Sequence, residues 1–167
     1  MKMYLKYLLY VLRHKFYVGV FCFKEGLYSQ AFWHDMHKFR WFPFVAYAKH
    51  FYSGKKIKGV GPTGYAKPTT DLDDPDFDKA WLYHQKSQKH HWQFWVLMED
   101  SGNVKLLPMD EQYWKEMVCD WYGASIATGK SNFSNYKENT QKWYLANRNK
   151  IQLNGFTRSL VEQELKV

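Results

Sequence analysis

The chain of 167 residues contains little cysteine. Its two thiols, Cys22 and Cys119, lie in apolar stretches and do not form a Cys-x-x-Cys pair. This arrangement excludes a disulfide framework and a cysteine-rich zinc site. We expect both thiols to pack as small buried hydrophobic groups in a reducing compartment.

A long uncharged hydrophobic run is also missing. The apolar segment 1–23 is interrupted by Lys6, Arg13, His14 and Lys15, so it offers no stretch of about 18 uncharged residues that could span a membrane. No small-residue cleavage site of a signal peptide follows it. Its leucines recur at helical spacing, which predicts an amphipathic core helix. We therefore expect a cytoplasmic protein without a membrane partner.

Acidic residues are scarce relative to basic ones. The chain has 16 Asp and Glu against 24 Lys and Arg, for a formal net charge of +8. This balance favours anionic partners such as phosphates, nucleotides or nucleic acid. The lysines are spread along the chain, however, whereas a dedicated nucleic-acid groove would cluster them on one face. A solvated basic surface is therefore the simpler interpretation.

What the chain does contain is aromatic side chains, at 20% of residues, and helical periodicity. We predict a mostly α, single-domain helical bundle over 1–167, with a small β-hairpin near 93–107 that turns at 100–103. A long basic loop is expected at about 53–74. The predicted helices cover 3–23, 29–40, a shorter segment from Pro43, 75–88, 110–124, 139–149 and 157–165.

Three local motif matches are rejected. Gly59 to Gly64 fits G-x-G-x-x-G but follows no strand, and prolines stand where a helix should begin. Gly123 to Ser131 resembles a phosphate-binding P-loop but has one residue too many and follows a helix. The aspartates of 71–78 lack the glycine and glutamate of a calcium loop.

The remaining pattern is a series of histidines and aspartates. Imidazole and carboxylate groups suit divalent ions such as Mn, Fe, Co, Ni and Zn, so the series predicts a centre for one or two such ions built from several helices. Of His90 and His91, only one need face inward, and we expect His37 and His50 at the surface or behind the ligands. The candidate ligands are His14, His34, Asp35, His84, His90, His91 and Asp120.

Lys38 extends this pattern toward phosphate chemistry. On the predicted helix 29–40, His34 and Asp35 point about 100° apart, and Lys38 lies one turn after His34 on the same face. A cation beside an ion suits a phosphate group, because the ion polarises a phosphoryl oxygen while the lysine neutralises charge. Asp120 lies on an apolar helix face, where a carboxylate is costly to bury unless it is paired or binds an ion.

The series resembles the HD superfamily of metal-dependent phosphohydrolases. His14, the pair His34-Asp35 with Lys38, and the late Asp120 match its first ion site, and His84 with His90 or His91 resembles the added ligands of two-metal members. The interval from His84 to His90 is shorter than in two-metal phosphodiesterases, and no Gly-Tyr-Pro motif follows.

Most of the chain also resembles an uncharacterised domain-of-unknown-function family of short bacterial and phage proteins. If the chain is phage-encoded, its compartment is the host cytoplasm. The matching segments are 4–7, 12–15, 34–39, 80–84, 90–92 and 117–124.

These resemblances imply an enzyme that hydrolyses a phosphate ester, with a nucleotide or cyclic nucleotide as the expected substrate class and Asp35 and Lys38 as catalytic residues. The residues expected to bind the substrate are Lys38, Lys55, Lys56, Lys58 and Lys67. One alternative is a non-enzymatic module that binds nucleic acid or a host protein, in which aromatic rings between lysines stack on bases. A further alternative is a di-iron oxygenase on the same scaffold.

Overall fold

The computed structural model describes residues 1–53 and 74–167. Over these ranges the protein is mostly α, as predicted, with one two-stranded antiparallel sheet. The predictions for Lys55, Lys56, Lys58, Lys67, Gly59 to Gly64, Asp71 and Asp73 lie outside the described residues. The elements are α1 (Lys2–Lys24), α2 (Tyr28–Trp33), α3 (Trp41–Tyr52), α4 (Pro75–Ser87), β1 (Val96–Met98), β2 (Val104–Leu106), α5 (Glu111–Ala127), α6 (Tyr136–Asn147) and α7 (Gly155–Leu165).

Helix α1 is the central element of the fold. Tyr7, Val11, His14 and Val18 recur every three to four residues and are all buried, so they form one inner face along the helix. This face packs mainly against α5 and also against α3, while α2 lies alongside α1. The amphipathic helix predicted over 3–23 is confirmed.

The predicted helix 29–40 is wrong in its second half. Helix α2 ends at Trp33, Asp35 adopts a left-handed backbone with φ 57°, and a 3₁₀ turn covers Met36–Phe39. Lys15 fixes this break, because its ammonium donates hydrogen bonds to the carbonyls of Phe32 and His34. Aspartate tolerates the left-handed conformation better than most residues, and the apolar periodicity continues through the break, which hides it in the sequence.

The other boundaries follow local chemistry. Asp74 caps α4 by accepting a hydrogen bond from the Phe77 amide at 3.2 Å, and Pro75 begins the helix, as predicted. Strands β1 and β2 form the predicted hairpin, in which Val96 pairs with Leu106. Helix α5 runs through to Ala127 and therefore includes part of the segment that resembled a P-loop.

Two apolar clusters occupy the interior on either side of His14. One surrounds Val18 and is built from α1, α5, α6 and α7. The other surrounds Val11 and is built from α1, α3 and α4. Both cysteines are buried as expected, in the first cluster. Among the described helices, none has the length and apolar character that a membrane crossing needs.

Candidate metal centre

Four of the predicted ligands meet where α1, the break after α2, and α5 come together. Nε2 of His14 lies 3.4 Å from Nε2 of His34 and 3.4 Å from Oδ2 of Asp35. The same nitrogen lies 3.1 Å from Oδ1 of Asp120. Nε2 of His34 lies 3.4 Å from Asp35 and 3.5 Å from Asp120. The fold therefore brings two imidazoles and two carboxylates to one point.

These spacings match those of ligands on one ion. Two ligands at about 2.0–2.2 Å from the same ion lie about 3.0–3.5 Å apart in tetrahedral or octahedral geometry. His14, His34 and Asp35 are almost fully buried, whereas the Asp120 side chain is 15% exposed. The group is thus accessible from the side of Asp120.

The left-handed backbone at Asp35 explains how adjacent residues both reach this point. On a continuous helix His34 and Asp35 would diverge by about 100°. Because the helix has ended, their side chains converge instead, and the reasoning that placed both on one helix is wrong. Lys38 still contacts Asp35, with Nζ at 2.6 Å from Oδ2, although it does so from the 3₁₀ turn.

Asp35 faces a second group of histidines through its other oxygen. Oδ1 lies 3.6 Å from Nε2 of His90 and 3.9 Å from Nδ1 of His84. Neither Asp35 Oδ1 nor His90 Nε2 has a hydrogen-bond partner in the described part of the chain. Both atoms can offer a lone pair toward the space between them, which is the arrangement that a cation would satisfy.

The remaining histidines form a chain of imidazole contacts. Nδ1 of His84 lies 2.7 Å from Nε2 of His37, and Nε2 of His84 lies 2.6 Å from Nε2 of His91. These separations are shorter than the roughly 3 Å between two ligands of one ion, so these nitrogens must separate slightly to share an ion. Both His90 and His91 face the centre, although the sequence required only one of them to do so.

Glu116 is a member of the centre that the sequence reasoning missed. Its buried carboxylate lies 2.9 Å from Nδ1 of His34 and 3.2 Å from Nδ1 of His90. It therefore holds the ring nitrogens opposite those that face Asp35. The available signal was its position one turn before Asp120, as a second carboxylate in the apolar helix α5.

In the first group the pKa values of both carboxylates are lowered and that of His34 is raised. Burial disfavours charge on Asp35, but the nearby Lys38 and His34 hold its pKa well below the usual range. The pKa of Asp120 is lowered in the same way, since hydrogen bonds from His14 and His34 outweigh the effect of burial. Burial also opposes charge on His34, yet the surrounding carboxylates raise its pKa to about 10.

The second group behaves in the opposite way. Burial lowers the pKa of His91 to about 3 and that of His37 to about 4. The pKa of His84 is also well below the usual value, because burial and the neighbouring His91 disfavour the charged form. These rings are neutral at pH 7, which is the form that binds an ion, whereas an ion must displace a proton from His34 to bind there.

His37 and His50 were expected at the surface or behind the ligands; both are buried, so the surface alternative is wrong. His37 joins the imidazole chain through His84. His50 lies between α3 and α4, where Nδ1 is 3.0 Å from Asp74 and the ring stacks on Phe77. Within the described ranges, His50 does not lie close enough to other histidine and carboxylate groups to share an ion with them. It acts there as a packing and capping partner.

Nearly the whole chain matches a protein-family model. Residues 3–167 match the model described as a family of unknown function, DUF5662. No curated protein and no solved structure matches the chain. The chain therefore belongs to the DUF5662 family.

Proposed function

We propose that this protein is a metal-dependent phosphohydrolase that acts on a phosphate ester, with a nucleotide or cyclic nucleotide as the favoured class of substrate. The observation that carries the proposal is the convergence of His14, His34, Asp35 and Asp120 at 3.1–3.5 Å spacings. The order of these residues along the chain supports an HD-type centre.

The residues fit a divalent transition ion such as Mn, Fe, Co, Ni or Zn. Two imidazoles and two carboxylates form a mixed nitrogen and oxygen donor set. The two carboxylates are ionised, and Glu116 holds the far nitrogen of His34, as carboxylates commonly do behind a histidine ligand. An ion bound there would polarise a phosphoryl oxygen and lower the pKa of water.

Lys38 gives the centre its preference for phosphate. Its ammonium lies 2.6 Å from Asp35, and its side chain is 13% exposed, so it borders the accessible side of the group. There it neutralises negative charge on a substrate oxygen as the ester bond breaks. The net charge of +8 supports an anionic substrate.

A second ion fits between Asp35 and the histidine group. Asp35 presents one oxygen to His14 and His34 and the other to His90 and His84, so its carboxylate can bridge two ions. His91 completes the second group through its contact with His84. We propose that these residues hold a second ion or orient the substrate.

The test joins metal content to turnover. Protein purified without chelator should contain about one or two equivalents of transition metal, measured by elemental analysis, and should hydrolyse members of a panel of phosphomonoesters, phosphodiesters and nucleotides. Asp35→Ala should abolish both metal content and turnover, because it removes a ligand common to both groups.

The matched control is His50→Gln, which alters a buried histidine outside the centre and should retain the metal. Unchanged metal content in a folded Asp35→Ala variant would refute the ligand assignment. Metal-loaded protein that hydrolyses none of the phosphate esters would refute the function.

A di-iron oxygenase is the second candidate. It is favoured by the same two-sided carboxylate of Asp35, which suits two ions at close range. Oxygen consumption by the iron-loaded protein, without phosphate-ester hydrolysis, would select it. Metal-free protein that binds nucleic acid with a steep salt dependence would instead favour the non-enzymatic binding module.

A further inference from the structure

The outer face of α1, opposite the core, is unusually apolar. Five large side chains on it are exposed, and we call them the outer stripe. Their exposed fractions are 57% for Leu5, 58% for Leu9, 48% for Leu12, 64% for Phe16 and 60% for Phe23. Single exposed apolar residues are ordinary, but a contiguous row of this kind marks an interaction surface.

The outer stripe has the spacing of a helix that pairs with another helix. With Gly19 included, its positions are separated by four, three, four, three and four residues. This is the heptad spacing that keeps one apolar seam facing a partner helix. The inner face of α1 is already filled by Val11, His14 and Val18, so the heptad pattern is not needed for packing within the chain.

The exposed apolar area is large enough for a stable dimer. Helix α2 lies beside the stripe, since a Cβ on Gly19 would be 3.5 Å from the Ala31 carbonyl oxygen. The exposed rings of Phe32 and Trp33 extend the surface there. The seven side chains together expose roughly 700–800 Å², taking about 100 Å² from each. The largest patch on a typical monomer is about 300–600 Å², whereas each partner in a stable complex contributes about 800 Å².

Three of the cations on α1 are held by contacts within the chain. Arg13 donates a hydrogen bond to the carbonyl of Ile126 and lies over the Tyr17 ring. Lys15 is bound to carbonyls at the end of α2, and Lys24 lies over the Phe21 ring. Lys2 and Lys6, however, are exposed near Leu5 and Leu9, so the occupant follows from the apolar area, which matches one side of a stable dimer, and not from the charges.

We propose that the outer stripe binds a second copy of this chain in an antiparallel helix pair. In this register positions 12 and 16 lie at the centre of the seam. Leu12 then opposes Phe16, and Leu5 opposes Phe23. An antiparallel pair also brings the positive end of one helix dipole to the negative end of the other.

This surface is independent of the metal centre. Leu12 and Phe16 are each two residues from His14, so they point about 160–200° away from it around the helix axis. The outer stripe and the ligand His14 therefore lie on opposite faces of α1. Loss of the dimer should not change metal content, so failure of this inference and failure of the proposed function are distinguishable.

The first test is the mass of the purified protein in solution. Light scattering coupled to size exclusion should give twice the chain mass of 20.1 kDa. Leu12→Glu and Phe16→Glu should each give the monomer mass while keeping the helical circular dichroism and the metal content. The matched control is Leu145→Glu, because Leu145 is 49% exposed on α6 and should leave the dimer intact.

The second test is the register. Oxidation of a mixture of Leu12→Cys and Phe16→Cys proteins should cross-link the two variants to each other more than Leu12→Cys links to itself; the natural cysteines are buried. A monomeric wild-type protein would overturn the proposal, as would monomers that pellet with anionic vesicles only when Leu12 is intact. Preferred self-linking of Leu12→Cys would overturn the antiparallel arrangement.

Discussion

Two kinds of buried surface lie next to each other on the inner face of α1. Val11 and Val18 belong to the two apolar clusters, and His14 lies between them with a similarly buried side chain. The valines are stabilised by leaving water. His14 gains nothing comparable, because a buried polar ring must find partners to offset its lost hydration.

This difference between apolar and polar burial shows which part of the molecule stabilises the fold. The apolar clusters are stabilised by the burial of apolar surface, whereas the centre between them concentrates buried polar atoms, among which Asp35 Oδ1 and His90 Nε2 have no partners in the described ranges. Buried polar atoms left unpaired each cost about 1–3 kcal/mol. The clusters therefore hold the centre in place, and we expect a bound ion to satisfy its unpaired atoms.

Metal removal should give the largest difference in stability between the centre and the apolar clusters. If free metal stands at about a thousand times its Kd, binding stabilises the fold by about 4 kcal/mol, and its removal lowers the Tm by about 8–16 °C. Calorimetry with and without a chelator measures this shift. The Asp35→Ala variant, which lacks a ligand, should show no response to the chelator. An unchanged wild-type Tm would mean that the centre is complete without an ion.

Gly123→Ala should instead destabilise the apolar packing between α1 and α5. A Cβ at this position of α5 would lie 2.7 Å from the backbone nitrogen of Val18 and would also collide with its side chain. Because backbone cannot move aside cheaply, the substitution should cost about 2–3 kcal/mol, measured by urea unfolding. Gly155→Ala is the control, since nothing lies within 4 Å of that position. A neutral Gly123→Ala would show that α1 and α5 can separate freely.

Glu116→Gln should weaken the centre with the smallest effect on the fold. The amide keeps the size of the side chain but loses the charge that holds His34 and His90. Such changes behind a ligand typically reduce metal affinity about 10–100-fold, which titration calorimetry can measure. Glu138→Gln on the surface of α6 should have no effect. Equal affinity in Glu116→Gln and wild type would remove Glu116 from the centre.

The sequence predicted elements whose signals are local. Asp74-Pro75 marks a helix start because its cap and its ring act within one turn, and the turn at 100–103 marks the hairpin for the same reason. The break after Trp33 escaped prediction because it depends on Lys15, which lies 17 residues from Phe32 and donates to its carbonyl. No window of neighbouring residues contains that contact.

The identities of the candidate ligands were readable from the sequence, but their arrangement was not. Glu116 carried only one signal, its position one turn before Asp120 in an apolar helix. His37 was expected at the surface or behind the ligands, and only the packing of α4 against the break shows why it is buried beside His84. Which ring nitrogen faces Asp35 depends on the carboxylate behind the ring, and that carboxylate comes from another helix.

By itself, then, the sequence determined the mostly α class, the amphipathic α1 and the residue types of the candidate divalent-ion centre, because apolar spacing and ligand chemistry are properties of the chain. Tertiary structure decided the rest. It ended α2 before Asp35, turned His34 and Asp35 toward one point, and placed Glu116 behind two imidazoles. It also left the apolar stripe of α1 facing outward, since a helix can bury only the faces that its neighbours cover.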